Sequence, residues 1–325
     1  MKILVTGGAG FIGNCFIRHI LNKYSDYKII NLDALTYAGN IENLNDVKNN
    51  SNYTFVHGDI CNKELVNDLV KQVDAIVNFA AESHVDRSIT GPEIFIETNV
   101  KGTLNLLQAA RINSIQRYLQ VSTDEVYGSL GKTGYFTEST NIAPNSPYSA
   151  SKASADLLVR AYFETYGMPN LITRCSNNYG PYQYPEKLIP FFISQLLKGE
   201  KVPVYGDGLN VRDWLYVYDH CAAIDVVLHK GRVGEVYNIG GHNEKTNLEI
   251  TKIILAAMGK DESSIKYVED RLGHDRRYAI DNAKIQTELG WEPSLTFEEG
   301  IKLTVDWYLN NLDWMKNIAA KQVSI

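Results

Sequence analysis

Thr123, Asp124 and Glu125 stand in a row, and Tyr148 precedes Lys152 by four residues. Two adjacent carboxylates repel, which raises the proton affinity of at least one, so one pair can supply both an acid and a base. Folding alone requires no such pair, although a solvated turn or a helix cap would also use these residue types. The i,i+4 spacing of Tyr148 and Lys152 puts both on one helix face. A tyrosine acts as a base only if its pKa of about 10 falls by several units. One cation about 4 Å away contributes on the order of 4 kcal/mol toward that at an effective dielectric near 20.

A third cluster names the chemistry these groups would serve. Gly7-Gly8-Ala9-Gly10-Phe11-Ile12-Gly13 follows an apolar run and opens a helical pattern, with glycine at 7, 10 and 13. Missing side chains let such a turn close tightly and bring backbone N–H groups up to a pyrophosphate. The turn lacks the Lys-Ser/Thr ending of a P-loop. Asp33 lies twenty residues beyond Gly13, where a carboxylate accepts hydrogen bonds from a ribose and repels a 2′-phosphate. Together they predict an NAD site, with Asp59 as either an adenine contact or a helix cap. An oxidised nicotinamide would then join Lys152 in stabilising the Tyr148 phenolate. Oxidation at a sugar carbon acidifies its neighbour, so an acid and a base beside a redox cofactor suit elimination of water.

The elements that must hold these residues follow from periodicity. Apolar runs predict strands at Lys2–Thr6, Lys28–Leu32, Tyr53–Val56, Asp74–Ala80, Arg117–Ser122 and Asn170–Ser176. Helical spacing predicts helices at Ile12–Asn22, Lys63–Val70, Ile94–Arg111 and Tyr148–Tyr166, the last with Ser146 as N-cap and Pro147 in its first turn. Strands apolar throughout, alternating with helices, point to an α/β fold: a doubly wound, Rossmann-type parallel sheet. After Gly180 four prolines (Pro181, Pro185, Pro190, Pro203) break the rhythm. Sheet-like runs at Trp214–Val217 and Glu235–Ile239 flank a helix at Asp219–His229, and short helices ending in Phe297–Asn310 dominate beyond Gly240. The expected division is an NAD-binding domain over 1–180 plus about 212–240. A smaller interleaved substrate domain takes about 181–211 plus 241–325.

Composition sets the outer bounds. The chain has 325 residues, and 38 acidic against 32 basic side chains give a net charge of −6, which argues against a nucleic-acid grip. Cys15, Cys61, Cys175 and Cys221 show neither CxxC nor zinc spacing and read as reduced thiols. With no apolar run of membrane length and no leader-like start, the expectation is a soluble cytoplasmic protein without a metal.

Gly7–Gly13, Asp33, Ala80-Ala81-Glu82-Ser83-His84, Ser122-Thr123 and the Tyr148/Lys152 pair resemble the extended short-chain dehydrogenase/reductases. Thr123-Asp124-Glu125, Ser83–Ile89, Ser176–Pro181, Pro185–Pro190, Arg212-Asp213-Trp214 and Gly273–Tyr278 are similar to the dTDP-glucose 4,6-dehydratases among them. That resemblance covers nearly the whole chain. It implies tightly held NAD, regenerated each turnover, and dTDP-glucose as the sugar-nucleotide substrate. It adds Phe11, Ile12, Ala34, Leu35, Thr36, Ile60, Phe79, Ala80, Ala81, Ser83, Thr98 and Asn178 as cofactor contacts. Substrate contacts would be Ser83, Thr123, Asn177, Lys187, Leu188, Pro203, Tyr205, Arg212, Asn247, Asp270, Arg271 and His274, with Arg212 and Arg271 on the pyrophosphate. Residues 270–277, with three arginines against two aspartates, reverse the global sign locally. His84 is read as a hydrogen-bonding residue. The family also implies a homodimer through the helices at Ile94–Arg111 and Tyr148–Tyr166. Leu272, where proline is frequent, and the short 128–136 segment depart from its pattern. A nucleotide-sugar 4-epimerase and an NAD-sensing protein without turnover are the competing readings; neither needs the acid pair.

Overall fold

Seven strands rich in β-branched and aliphatic residues form one parallel sheet: β1 Lys2–Thr6, β2 Lys28–Asp33, β3 Tyr53–His57, β4 Ala75–Asn78, β5 Arg117–Thr123, β6 Asn170–Cys175 and β10 Val236–Ile239. Their spatial order is β10-β6-β5-β4-β1-β2-β3, so the direction of winding reverses between β1 and β4. Ligands bind at that reversal, beyond the carboxyl ends of the strands. The computed structural model describes residues 1–270 and 274–322, without the side chains of 319–322.

Both faces of the sheet are covered, as uniformly apolar strands require. On one side Phe16, Ile17 and Ile20 of the helix Phe11–Lys23 pack with Ile224 and Val227 of the helix Val217–Lys230. On the other, Val66, Leu106, Leu107, Val159 and Tyr162 close over Leu4, Ile76 and Tyr118. The helix Pro147–Tyr166 begins as the sequence dictates: Ser146 and Ser149 form a reciprocal capping box and proline fills the first position.

Several expectations are corrected here. The pattern over Ile94–Arg111 is not one regular helix. Glu93–Phe95 runs into a π-helical stretch, Ile96–Gly102, before the α-helix Thr103–Ile112. The predicted strand Asp74–Ala80 shortens to Ala75–Asn78, because the Asp74 carboxylate is engaged by the Lys2 amide. The proline-punctuated stretch contains a helix, Leu188–Leu197, since Pro190 falls in its first turn where no amide is missed. It also contains β8, Val202–Tyr205, with Pro203 inside it.

The Trp214 run belongs to β9, Val211–Tyr216, which does not join the large sheet. It pairs in parallel with β7, Asn177–Tyr179, and antiparallel with β11, Glu244–Thr246. β8 pairs with β12, Ile265–Val268, so the region beyond Gly240 carries strands as well as helices. Tyr179, Phe192, Trp214, Ile250, Phe297 and Tyr308 build a separate apolar core beneath these small sheets.

Candidate active site

The glycine turn leaves β1 and caps the helix Phe11–Lys23. Gly7 has φ +71°, and a Cβ there would meet the Ala80 amide nitrogen at 2.7 Å. A Cβ on Gly13 would meet the Gly7 carbonyl at 2.3 Å, so helix and turn touch backbone to backbone. The helix has no side-chain cap and no acid in its first turn, which leaves its free amides and positive dipole end for an anion. Asp33 accepts from the Ala9 and Leu35 amides at 2.8 Å each; burial pushes its pKa up and these two bonds oppose the rise. These residues fit a dinucleotide: an amide-lined turn for the pyrophosphate and a carboxylate at ribose distance along the sheet edge.

The cavity they line measures about 340 Å³ and runs across the carboxyl edge of the sheet. Its walls include Gly7, Gly10, Phe11, Ile12, Gly13, Asp33, Ala34, Thr36, Asp59, Ile60, Phe79, Ala80, Ala81, Ser83, Thr98, Thr123, Tyr148, Lys152, Asn177, Asn178 and Lys187. Leu35 stays out of the wall; its side chain packs against the core and its amide is taken by Asp33. Asp59 caps its own turn through the Cys61 amide at 2.8 Å, while Asn62 caps the following helix. Periodicity had no way to find Glu82, Ser122, Cys175, Gln183 or Glu186, which complete this wall from strand ends and loops.

β5 delivers the acid pair. Thr123 ends the strand, and its Oγ1 accepts from the Glu125 amide at 3.2 Å to start a 3-10 turn over Asp124–Tyr127. The same hydroxyl donates to Asp124 Oδ1 at 3.3 Å, while Oδ2 has no hydrogen-bond partner. Asp124 is 1% exposed. Burial first, then the nearby Glu125 and Asp213 carboxylates, hold it well above the usual carboxylate range, which favours its protonated form.

The tyrosine–lysine pair departs from expectation. Burial raises the Tyr148 phenol well above 10, Glu125 adds to the rise, and only a hydrogen bond with Thr123 opposes it. Lys152 donates to the Val121 carbonyl at 2.8 Å; burial lowers its pKa while Asp156 raises it. Desolvation of both members thus outweighs the cation's pull on the phenol within the protein alone.

A second cavity, about 470 Å³, adjoins the first. Asn177, Lys187, Leu188, Pro203, Tyr205, Arg212, Asn247 and His274 line it. Glu125, Asn177, Glu186 and Lys187 belong to both walls, so the two spaces meet at Glu125, next to Asp124 on the wall of the first. Arg212 lies 4.3 Å from the Tyr278 ring centre and donates to the Asp275 carbonyl at 2.9 Å. Asp270 stays out of the wall and pairs with the His274 ring at 2.6 Å. Arg271 and Leu272 lie outside the described residues. The positive reversal over 270–277 is largely cancelled: Arg276 pairs with Asp207 and Arg277 with Glu244. Phe191, Gln195 and Lys198 extend the wall along one face of the helix Leu188–Leu197 and its cap; their i,i+4,i+7 spacing was there to be read.

The 128–136 segment packs on the following limb, with the Leu130 and Phe136 amides donating to the Arg277 and Ala279 carbonyls. His84 caps the helix Val85–Thr90 and stands 3.9 Å from Glu186. Among the described residues no group of three His, Cys, Asp or Glu side chains could hold a metal ion.

A doubly wound sheet with an amide-lined turn, a Tyr-x-x-x-Lys helix and a second adjoining cavity defines an extended short-chain dehydrogenase/reductase. The profile of the GDP-mannose 4,6 dehydratase family matches residues 4–304. A dTDP-glucose 4,6-dehydratase of Xanthomonas campestris is 57% identical over 97% of this chain and 95% of its own. The crystal structure of DesIV, the Streptomyces venezuelae dTDP-glucose 4,6-dehydratase with NAD bound, superposes with a TM-score of 0.96 at 53% identity, covering 98% of this chain and 100% of that one. A UDP-glucose 4-epimerase of Thermotoga maritima shares the fold at a TM-score of 0.89 but only 32% identity, over 96% of this chain and 100% of its own. The chain belongs to the sugar-nucleotide 4,6-dehydratase family, on the branch of the dTDP-glucose 4,6-dehydratases.

Proposed function

We propose that this chain converts dTDP-glucose to dTDP-4-keto-6-deoxyglucose and water. One observation carries the reading: a buried Asp124, its pKa pushed up, stands beside Glu125, and Glu125 lines both cavities. A simple 4-epimerisation has no use for that pair.

NAD held by the glycine turn and Asp33 would supply a hydride acceptor for carbon 4 and a hydride donor for carbon 6. Tyr148 Oη takes the proton of the 4-hydroxyl, while Thr123 Oγ1 hydrogen-bonds that oxygen. Lys152 would draw the phenol below the value burial alone sets, and the positive charge of an oxidised nicotinamide would add to that pull. Glu125 removes the carbon 5 proton, which the new 4-keto group has acidified. Asp124 gives its proton to the departing 6-hydroxyl, so the leaving group is water. Glu125 then returns a proton to carbon 5. Arg212, with Asn177 and Lys187, faces the diphosphate of the substrate; the planar guanidinium suits its oxygens. The glycine turn and Asp33 hold the dinucleotide.

Substrate deuterated at carbon 4 tests the route: deuterium appears at carbon 6 of the product, and its absence there discards the mechanism. In E125Q, exchange of the carbon 5 proton with solvent falls by about 10²-fold or more while cofactor stays bound. Parallel incubations with dTDP-glucose and UDP-glucose, without added NAD, separate a dehydratase from an epimerase and one base from another.

The same reading extends to assembly and compartment. Ile112 (66% exposed) and Leu157 (53%) stand out on the two helices expected to pair, which supports a homodimer through them. Four free cysteines suit a reducing cytosol, and among the described residues no helix is long and apolar enough to cross a membrane. The division into an NAD-binding part and an interleaved substrate part is kept as a proposal, supported by the separate core beneath the small sheets.

A further inference from the structure

Beneath the catalytic helix lies a buried ion pair that the mechanism above does not use. Asp156 follows Lys152 by four residues and Tyr148 by eight, on the same face of the helix Pro147–Tyr166. Its Oδ2 meets Arg174 Nε on β6 at 2.9 Å, and the two side chains are only 1% and 5% exposed. Its Oδ1 makes no hydrogen bond. The Arg174 guanidinium lies 4.8 Å from the ring centre of Tyr127, the last residue of the turn that carries Asp124 and Glu125. The Tyr127 hydroxyl in turn donates to Asn238 on β10 at 2.8 Å.

Stability is a poor reason for such a pair, because apolar residues of similar volume often serve a buried site as well or better. The placement offers another reason. The carboxylate pairs with a cation on β6 and lies one helical turn from a second, the lysine on which the proposed proton transfer depends. We propose that Asp156, ion-paired with Arg174 and one helical turn from Lys152, is a positioning residue for Lys152 and, through Tyr127, for the acid-pair turn. The inference rests on the dehydratase reading for the identity of the reaction.

The groups facing this site are few. Lys152 sees Asp156 from its own helix, the Val121 carbonyl from β5 and Cys175 from β6. Burial pushes Cys175 up to about 12, so it stays a neutral thiol across the working range. Tyr148 sees Glu125, Asp124 and Thr123 from the turn and Cys175 from β6, but Asp156 is not among the groups acting on it. Removing the Asp156 charge therefore acts on Lys152: it favours the neutral amine and brings its deprotonation to lower pH.

The experiment is the pH profile of kcat for dTDP-glucose dehydration by holoenzyme, with thermal melts alongside. In D156N the alkaline limb moves down by about one to two pH units, the range for a unit charge about 6 Å away at an effective dielectric near 20. The acid limb stays within about 0.3 units and KM within about twofold, the scatter a binding-neutral change allows. D156E restores the alkaline limb. The double variant D156L/R174M keeps the volume, folds, and shows the same displaced limb; it also decides the matter if D156N does not fold. An alkaline limb unmoved in a folded variant overturns the proposal, as does a lower melting temperature with an unchanged profile. Wild-type protein that turns over no dTDP-glucose would instead sink the dehydratase reading.

Discussion

Asp124 and Asp225 are both buried, and their pKa values move in opposite directions. Asp124, on the turn after β5, has carboxylates for neighbours, and its pKa rises well above the usual range. Asp225 sits in the seam between the helices Phe11–Lys23 and Val217–Lys230, and its side chain is 1% exposed. There His19 Nε2 at 2.9 Å, Lys23 Nζ at 2.7 Å and the Tyr24 hydroxyl at 3.1 Å surround it, with His229 at 2.8 Å. Burial pulls upward in both places, but those partners hold Asp225 far below the carboxylate range. Low exposure therefore says nothing about charge until the neighbours are counted. One environment favours the protonated acid that the proposed elimination calls for; the other favours an anion clasping two helices.

Replacing each aspartate by asparagine separates the two roles. D124N loses about 10²–10⁴-fold in kcat, the range for a missing general acid, with no fall in melting temperature because a neutral group replaces a neutral group. D225N reverses the pattern. It destabilises by about 2 kcal/mol in denaturant titration, the low end for a buried carboxylate since its partners reach water, while kcat per folded molecule is unchanged. If D225N slowed catalysis without loss of stability, the contrast would collapse.

Acidity probes the seam next. Asp225 has a depressed folded pKa, so its contribution is full above about 4 and is lost as pH falls through its folded value. His229 has a raised one, so its contribution is full below about 6.5 and is lost as pH rises through its folded value. The seam is therefore strongest between about pH 4 and 6.5, and melts of wild type minus D225N across pH show that maximum. A flat difference curve would remove the seam's electrostatic account. The smallest effect belongs to K23M, whose lysine is half exposed: about 0.5 kcal/mol at low salt, vanishing at 1 M.

The same contrast runs through what could be read from the residues alone. The large sheet announced itself because its strands are apolar on both faces, and the glycine turn because backbone contact forbids side chains at Gly7 and Gly13. The small sheets gave no such signal. β7 and β11 are three residues long and mostly polar, and Pro190 disguised a helix by falling in its first turn. The acid pair and Tyr148 are local motifs, visible as types and spacings. The rise in the Asp124 pKa is not local: it depends on burial and on Asp213, which only the fold supplies. The arginines at 276 and 277 made the same point in reverse, since their partners Asp207 and Glu244 are distant in sequence.

Glu125, Asn177, Glu186 and Lys187 form a party wall between the two cavities. Molecules sharing a wall do not bind independently, and linkage makes their influence mutual. Whatever factor the sugar nucleotide adds to the affinity for the dinucleotide, the dinucleotide adds to the affinity for the sugar nucleotide. Where that factor exceeds one, such reciprocity is a latch: each molecule, once seated, tightens the hold on the other.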